Sequence, residues 1–171
     1  MEKGYIQVYT GNGKGKTTAA LGLSIRSAAA GKKVFIAQFV KGMHYSELDI
    51  LKDITNIELK QYGRGCFIYN KATKEDIKSA TNGLKETAIK LKEGRYSVII
   101  LDEATIAIHF NLFSFDELWK AITARAPHVE VIITGRYAPD ELIHQADLVT
   151  EMKEIKHYYT KGIEARVGIE K

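Results

Sequence analysis

The chain has 171 residues, 45% hydrophobic and 27% charged, a balance that suits one globular domain spanning residues 1–171. No apolar run reaches the roughly 18 residues a membrane-spanning helix needs, Met1-Glu2-Lys3-Gly4 lacks the pattern of a secretory signal, and the single Cys66 can form no internal disulfide. These features point to a cytoplasmic protein without a membrane partner, and a net charge of +4 is too small and too scattered to indicate nucleic acid.

Strand and helix signals alternate from end to end, without a linker or repeat. Residues 5–9 read as a first strand, followed by a glycine-rich turn and a helix to about Ala30, where Gly31 supplies the stop. Val34-Phe35-Ile36-Ala37-Gln38-Phe39 reads as a second strand, and Ser46 with Asp49 opens a short helix to about Asp53. A third strand covers 57–61, and 62–70 forms an aromatic, glycine-bearing loop. A long helix is capped by Thr73 and ended by Gly94, with Ile77, Leu84, Ala88 and Leu91 on its buried face. Lys85, Lys90 and Lys92 read as solvated lysines of that helix. Next come a strand over 97–101, a helix from the Ser114/Glu117 capping box to about Arg125, and a strand over 129–134. A short helix from Pro139 to about Gln145 and a strand over 148–152 complete the pattern. Such alternation predicts an α/β fold in which a mostly parallel central sheet is flanked by helices.

Two segments carry chemistry. Gly11-Asn12-Gly13-Lys14-Gly15-Lys16-Thr17-Thr18 stands between a strand and a helix, the context in which a phosphate-binding loop has meaning. Alternate glycines let backbone N–H groups converge on an anion, and the helix end adds its positive pole. Lys16 would reach phosphate oxygens and the Thr17 hydroxyl a magnesium ion. The usual first glycine of such loops is Thr10 here, and a flexible basic turn is the competing reading of the loop alone. The second segment, Val98-Ile99-Ile100-Leu101-Asp102-Glu103, reads as a central strand that delivers two carboxylates to the ligand edge of the sheet. Acids favoured at a following helix N-terminus are the alternative there.

Residues 10–20, Gln38-Phe39-x-Lys41-Gly42, Leu101-Asp102-Glu103 and Ile132-Ile133-Thr134-Gly135-Arg136 occur in order. They are followed by Ala146-Asp147-x-Val149-x-Glu151-Met152 and by Gly162-Ile163-x-Ala165-Arg166-x-Gly168-Ile169. From about Gly4 to the C-terminus the chain resembles the bacterial P-loop type of ATP:corrinoid adenosyltransferase. The resemblance implies a single-domain, RecA-like P-loop fold. It implies transfer of the 5′-deoxyadenosyl group of ATP to the cobalt(I) of a reduced corrinoid, cob(I)alamin or a precursor, with release of triphosphate. ATP would lie reversed relative to P-loop hydrolases, with its 5′-carbon toward the corrinoid.

Carried onto this chain, the resemblance assigns Gly11, Asn12, Gly13, Lys14, Gly15, Lys16, Thr17 and Thr18 to ATP. Thr17 and Glu103 would hold Mg2+, or Mn2+ in its place, with Asp102 alongside. Lys16, Glu103 and Arg136 would act in catalysis, and Lys41 at phosphate or corrinoid; a solvated loop lysine is the other reading of Lys41. Phe67 and Tyr69, matching a Phe-x-Trp segment of enterobacterial members, would wall the lower face of the corrin, or else tuck their loop onto the core. A flavin-type reductase and a homodimer are implied as partners. Longer members cover the corrinoid with a segment before the first strand; four residues stand there here, so a more open site, or closure by another element, is expected. A kinase or ATPase cleaving the γ-phosphate, and a nucleotide-dependent module acting on nucleic acid, are the competing readings.

Overall fold

Two strands of this chain are apolar on both faces until their carboxyl ends, where Gln38 and Asp102 stand, and the reason is visible in three dimensions. In the computed structural model, which describes residues 3–65, 68 and 71–170, β2 (Val34–Phe39) and β4 (Val98–Asp102) are buried along their whole length. Successive side chains of a strand point to opposite faces. Phe35, Ala37, Phe39, Ile99 and Leu101 therefore enter one hydrophobic cluster, and Val34, Ile36, Val98 and Ile100 enter another across the sheet.

The sheet has six parallel strands in the order β3-β2-β4-β5-β1-β6. The remaining strands are β1 (Ile6–Thr10), β3 (Ile57–Tyr62), β5 (Glu130–Thr134) and β6 (Leu148–Glu151). The helices are α1 (Lys16–Ala29), α2 (Glu47–Leu51), α3 (Lys74–Glu93), α4 (Ala104–His109), α5 (Phe115–Thr123) and α6 (Asp140–Gln145), with a short 3-10 turn at Tyr158–Lys161. Because every strand is parallel, all six carboxyl ends lie along one edge, where the loops can converge. The strand carrying the glycine-rich loop, β1, is separated from the acid-bearing β4 by β5 alone.

Two of the expected helix starts, at Thr73 and Ser114, are built as their sequences suggest, whereas the Ser46 side chain makes no cap hydrogen bond at the start of α2. In each capping box the Ncap hydroxyl accepts from the N3 backbone: Asp76 N lies 3.2 Å from Thr73 Oγ1 and Glu117 N 3.1 Å from Ser114 Oγ. The N3 carboxylates bond back to the Ncap N–H groups at 2.9 and 2.8 Å. The buried face of α3 carries Leu84 and Leu91 as expected, with Ala88 partly buried against the core, and adds Ala80, Gly83 and Thr87; Ile77 alone departs, at 40% exposed. Gly83 admits the Tyr62 ring against the helix, since a Cβ there would lie 2.3 Å from it. Lys90 is also not a simple surface lysine: its amine is 3.1 Å from Glu58 Oε1 and 4.6 Å from the Phe35 ring centroid.

A residue of the doubly covered strands should be far more sensitive than Ile77. Ile100→Ala should cost about 3 kcal/mol and lower Tm by about 6–12 °C, while Ile77→Ala should stay within about 0.5 kcal/mol. Thermal unfolding of the two variants checks that Ile77 lies outside the core.

A candidate nucleotide site at the carboxyl edge

At the end of β1 the chain turns through Gly11, at φ 96°. A Cβ at Gly11 would lie 2.5 Å from the Met152 carbonyl oxygen and one at Gly13 2.6 Å from it. That carbonyl accepts a hydrogen bond from Gly13 N at 2.6 Å, so the segment after β6 packs directly on the loop. Gly15, at φ 116°, caps α1, and Lys16 begins it. The Lys16 side chain turns back into its loop, with the amine 2.7 Å from both Gly11 O and Gly13 O. Burial lowers its pKa, the Arg136 charge acts in the same direction, and Glu103 and Asp102 oppose them.

The carboxylate of Asp102, only 1% exposed, draws the surrounding elements together. Its Oδ1 accepts from Thr17 Oγ1 at 2.8 Å and from Thr134 Oγ1 at 2.6 Å. Its Oδ2 accepts from Lys41 Nζ at 2.8 Å and from Gln38 Nε2 at 3.3 Å. The donors come from α1, β5, β2 and the loop after β2. Lys41 also reaches Thr17 Oγ1 at 3.4 Å. Burial alone would lower the Lys41 pKa, but the charge and hydrogen bond of Asp102 outweigh it and the net shift is upward. The solvated-lysine reading of Lys41 is thereby overturned.

Glu103 follows in the left-handed region, at φ 59°, and its N–H donates to Thr134 Oγ1 at 3.1 Å. Burial raises its pKa and the neighbouring Asp102 raises it further, against the charges of Lys41, Lys16 and Arg136. Arg136 itself is exposed, on the turn after β5, where Thr105 Oγ1 donates to its carbonyl oxygen at 2.7 Å.

Gly11, Gly13, Gly15, Lys16 and Thr17 thus come together with Lys41, Asp102 and Glu103, and Arg136 lies within reach of their charges. Asn12 and Thr18 are exposed on the same loop and first helical turn. Lys14 points elsewhere, to the C-terminal segment. Phe67 and Tyr69 lie outside the described residues. Val40, Tyr62, Arg64, Ile68, Lys71 and Leu112 line a cleft. Sequence reasoning gave no role to Gln38, Thr134 or Thr105. For Gln38 and Thr134 the available signal was a polar residue at or near the carboxyl end of an otherwise apolar strand; Thr105, in α4, gave none. The same reasoning also missed α4, whose six residues carry no capping signature and whose start at Glu103 requires a positive φ.

A glycine-rich loop running into a buried helix start, with a carboxylate strand one position removed in an all-parallel sheet, defines a P-loop nucleotide-binding protein. A family model described as ATP:corrinoid adenosyltransferase BtuR/CobO/CobP matches residues 2–170. Corrinoid adenosyltransferases of Escherichia coli K12 and Salmonella typhimurium are each 33% identical, over 99% of this chain and 86% of their own length. A corrinoid adenosyltransferase of Sinorhizobium is 34% identical over 99% of this chain and 81% of its own. The chain belongs to the ATP:corrinoid adenosyltransferase family, and the generic kinase reading is not favoured.

Two predictions follow from the charge arrangement. Lys41→Met should cost about 3 kcal/mol in urea denaturation, since it leaves the Asp102 carboxylate buried without its cation. For Glu103 the sign runs the other way. An acid whose pKa is raised by folding binds its proton more tightly in the native state, so its contribution to stability declines as pH rises from the ordinary value of 4.5 through the elevated one. Glu103→Gln should flatten that decline and raise Tm at pH 7–8 while impairing activity; a variant no more stable than the parent there would contradict the assignment.

Proposed function

We propose that this chain performs the transfer for which its family is named through the site just described, with the following division of labour. The cobalt(I) of a reduced corrinoid carries the electron pair that forms the new bond to the ribose 5′-carbon of ATP. The bond from that carbon to oxygen breaks, and its electrons leave on triphosphate. Because the nucleophile belongs to the substrate, the protein need not activate one; it must align three atoms and stabilise a highly charged leaving group. Lys16, the amides of residues 11–17 and Arg136 suit the second task. The supporting observation is that Thr17, Lys41 and Asp102 share one hydrogen-bonded cluster directly beside the loop.

Magnesium fits the donor set. Thr17 and Glu103 offer hard oxygen ligands, and magnesium is commonly held by one or two protein oxygens together with substrate phosphates. When bound, the ion would neutralise charge on the departing triphosphate; Thr17 and Glu103 would hold it, or Mn2+ in its place, with Asp102 orienting Thr17. We assign Phe67 and Tyr69 to the lower face of the corrin on the family resemblance. A homodimer, a cytoplasmic location and a flavin-type reductase as electron donor complete the reading. No helix among the described residues is long and apolar enough to cross a membrane.

Incubation with magnesium-ATP and chemically reduced cobalamin should release triphosphate as the cobalt(I) spectrum disappears. ADP or orthophosphate as the product would restore the kinase or ATPase reading. Lys16→Ala should reduce the rate by a factor of at least about 100; an unchanged rate would exclude the loop as the triphosphate site. Joint replacement of Phe67 and Tyr69 by Ala should slow turnover from cobalt(II) more than from pre-reduced cobalt(I), and equal losses would remove the proposed wall.

A further inference from the structure

Lys14 stands apart from its loop neighbour Lys16. Its amine lies 2.7 Å from the Ile169 carbonyl oxygen and 3.6 Å from Glu170 Oε1, with its side chain 41% exposed. Glu170 is in turn the centre of a small buckle. It accepts from Arg166 N at 2.9 Å, Arg166 Nε at 3.3 Å, Arg166 Nη2 at 3.2 Å and the Tyr158 hydroxyl. The guanidinium lies 4.9 Å from the Tyr158 ring centroid. Apart from this knot the segment is weakly held: Tyr159, Val167 and Ile169 are exposed. The chain after β6 thus meets the phosphate loop twice, through Met152 on Gly13 as it departs and through Ile169 and Glu170 on Lys14 as it returns.

We propose that residues 158–170 form a latch that competes with triphosphate for Lys14. The inference rests on the reading of residues 11–18 as the triphosphate site. Nucleotide draws the Lys14 amine from Glu170 to phosphate, and the loss of the Lys14 contacts to Ile169 and Glu170 loosens the tail from the loop. When the tail returns, Glu170 reclaims Lys14 and weakens the hold on the leaving group. Glu170 and Arg166 are therefore positioning residues that act through Lys14. An exposed ion pair of this kind can shift affinity only about two- to five-fold, which is enough to tune product release without preventing ATP from binding.

The probe is magnesium triphosphate added to the full chain. Calorimetry at low salt should show it binding about two- to five-fold tighter to Glu170→Gln than to the parent. The gap should close as salt approaches about 0.5 M. Tyr158→Phe, which removes one bond to Glu170, should fall between the two. In the parent, triphosphate should accelerate tryptic cleavage after Lys161 and Arg166. Slower cleavage with triphosphate, or equal affinity for parent and both variants, overturns the latch. If the parent binds no triphosphate at all, the loop assignment falls and the latch with it.

Discussion

A single buried carboxylate governs this site. Asp102 ends β4, a strand buried along its whole length, and a charge in that position is tolerable only when nearly every lone pair is satisfied. The four donors that satisfy it come from different parts of the chain: Gln38 on β2, Lys41 just after it, Thr134 at the end of β5 and Thr17 at the start of α1. Removing the carboxylate would free all of them at once. The same contacts that make it tolerable also fix the phosphate loop relative to the sheet. Precision at the ligand edge is therefore a consequence of burial, because a solvated Asp102 would not need Thr17.

The backbone at that edge is shaped by a related constraint. After β1, β2 and β4 the chain passes through positive φ at Gly11, Val40 and Glu103, and after β5 at both Gly135 and Tyr137. For Val40, Glu103 and Tyr137 the left-handed region carries a cost on the order of 1–3 kcal/mol. Each sharp turn lets the chain leave its strand while keeping side chains aimed along the edge. At Glu103 the turn places a second carboxylate beside the first and starts α4 immediately afterwards. At Tyr137 the ring stacks on His109 of α4, with centroids 4.4 Å apart, so the loop after β5 is braced against the helix that follows β4.

These features divide what could be read from sequence from what could not. The strands, the phosphate loop and the two capping boxes were legible because each rests on local rules: unbroken apolar runs, glycine spacing, and Ser or Thr followed three residues later by an acid. The pairing of Asp102 with Thr17 and Lys41 was not, since it joins residues 85 and 61 positions apart through a strand order that no local pattern encodes. The exposure of Ile77 was hidden as well, since it fits the same helical stripe as the buried Leu84 and Leu91 and only the three-dimensional packing separates them. Lys90 looked solvated because its partners, Glu58 and Phe35, belong to other elements.

The electrostatic state of the site has a consequence for its chemistry. Burial acts on Lys16 and Glu103 in the same sense, pushing each toward its neutral form. In the proposed site a polyphosphate with a divalent cation would reverse both effects: the anion would favour charged Lys16, and the cation would favour charged Glu103 and relieve its repulsion from Asp102. Substrate and metal would then bind cooperatively, each improving the environment that the other's ligand requires. Stabilisation concentrated in that way grows as charge gathers on a departing triphosphate, because the donors are already fixed by their bonds to the sheet. A loop free to relax around ATP would stabilise substrate and leaving group alike; one tied through Thr17 to the buried Asp102 can favour the more highly charged species.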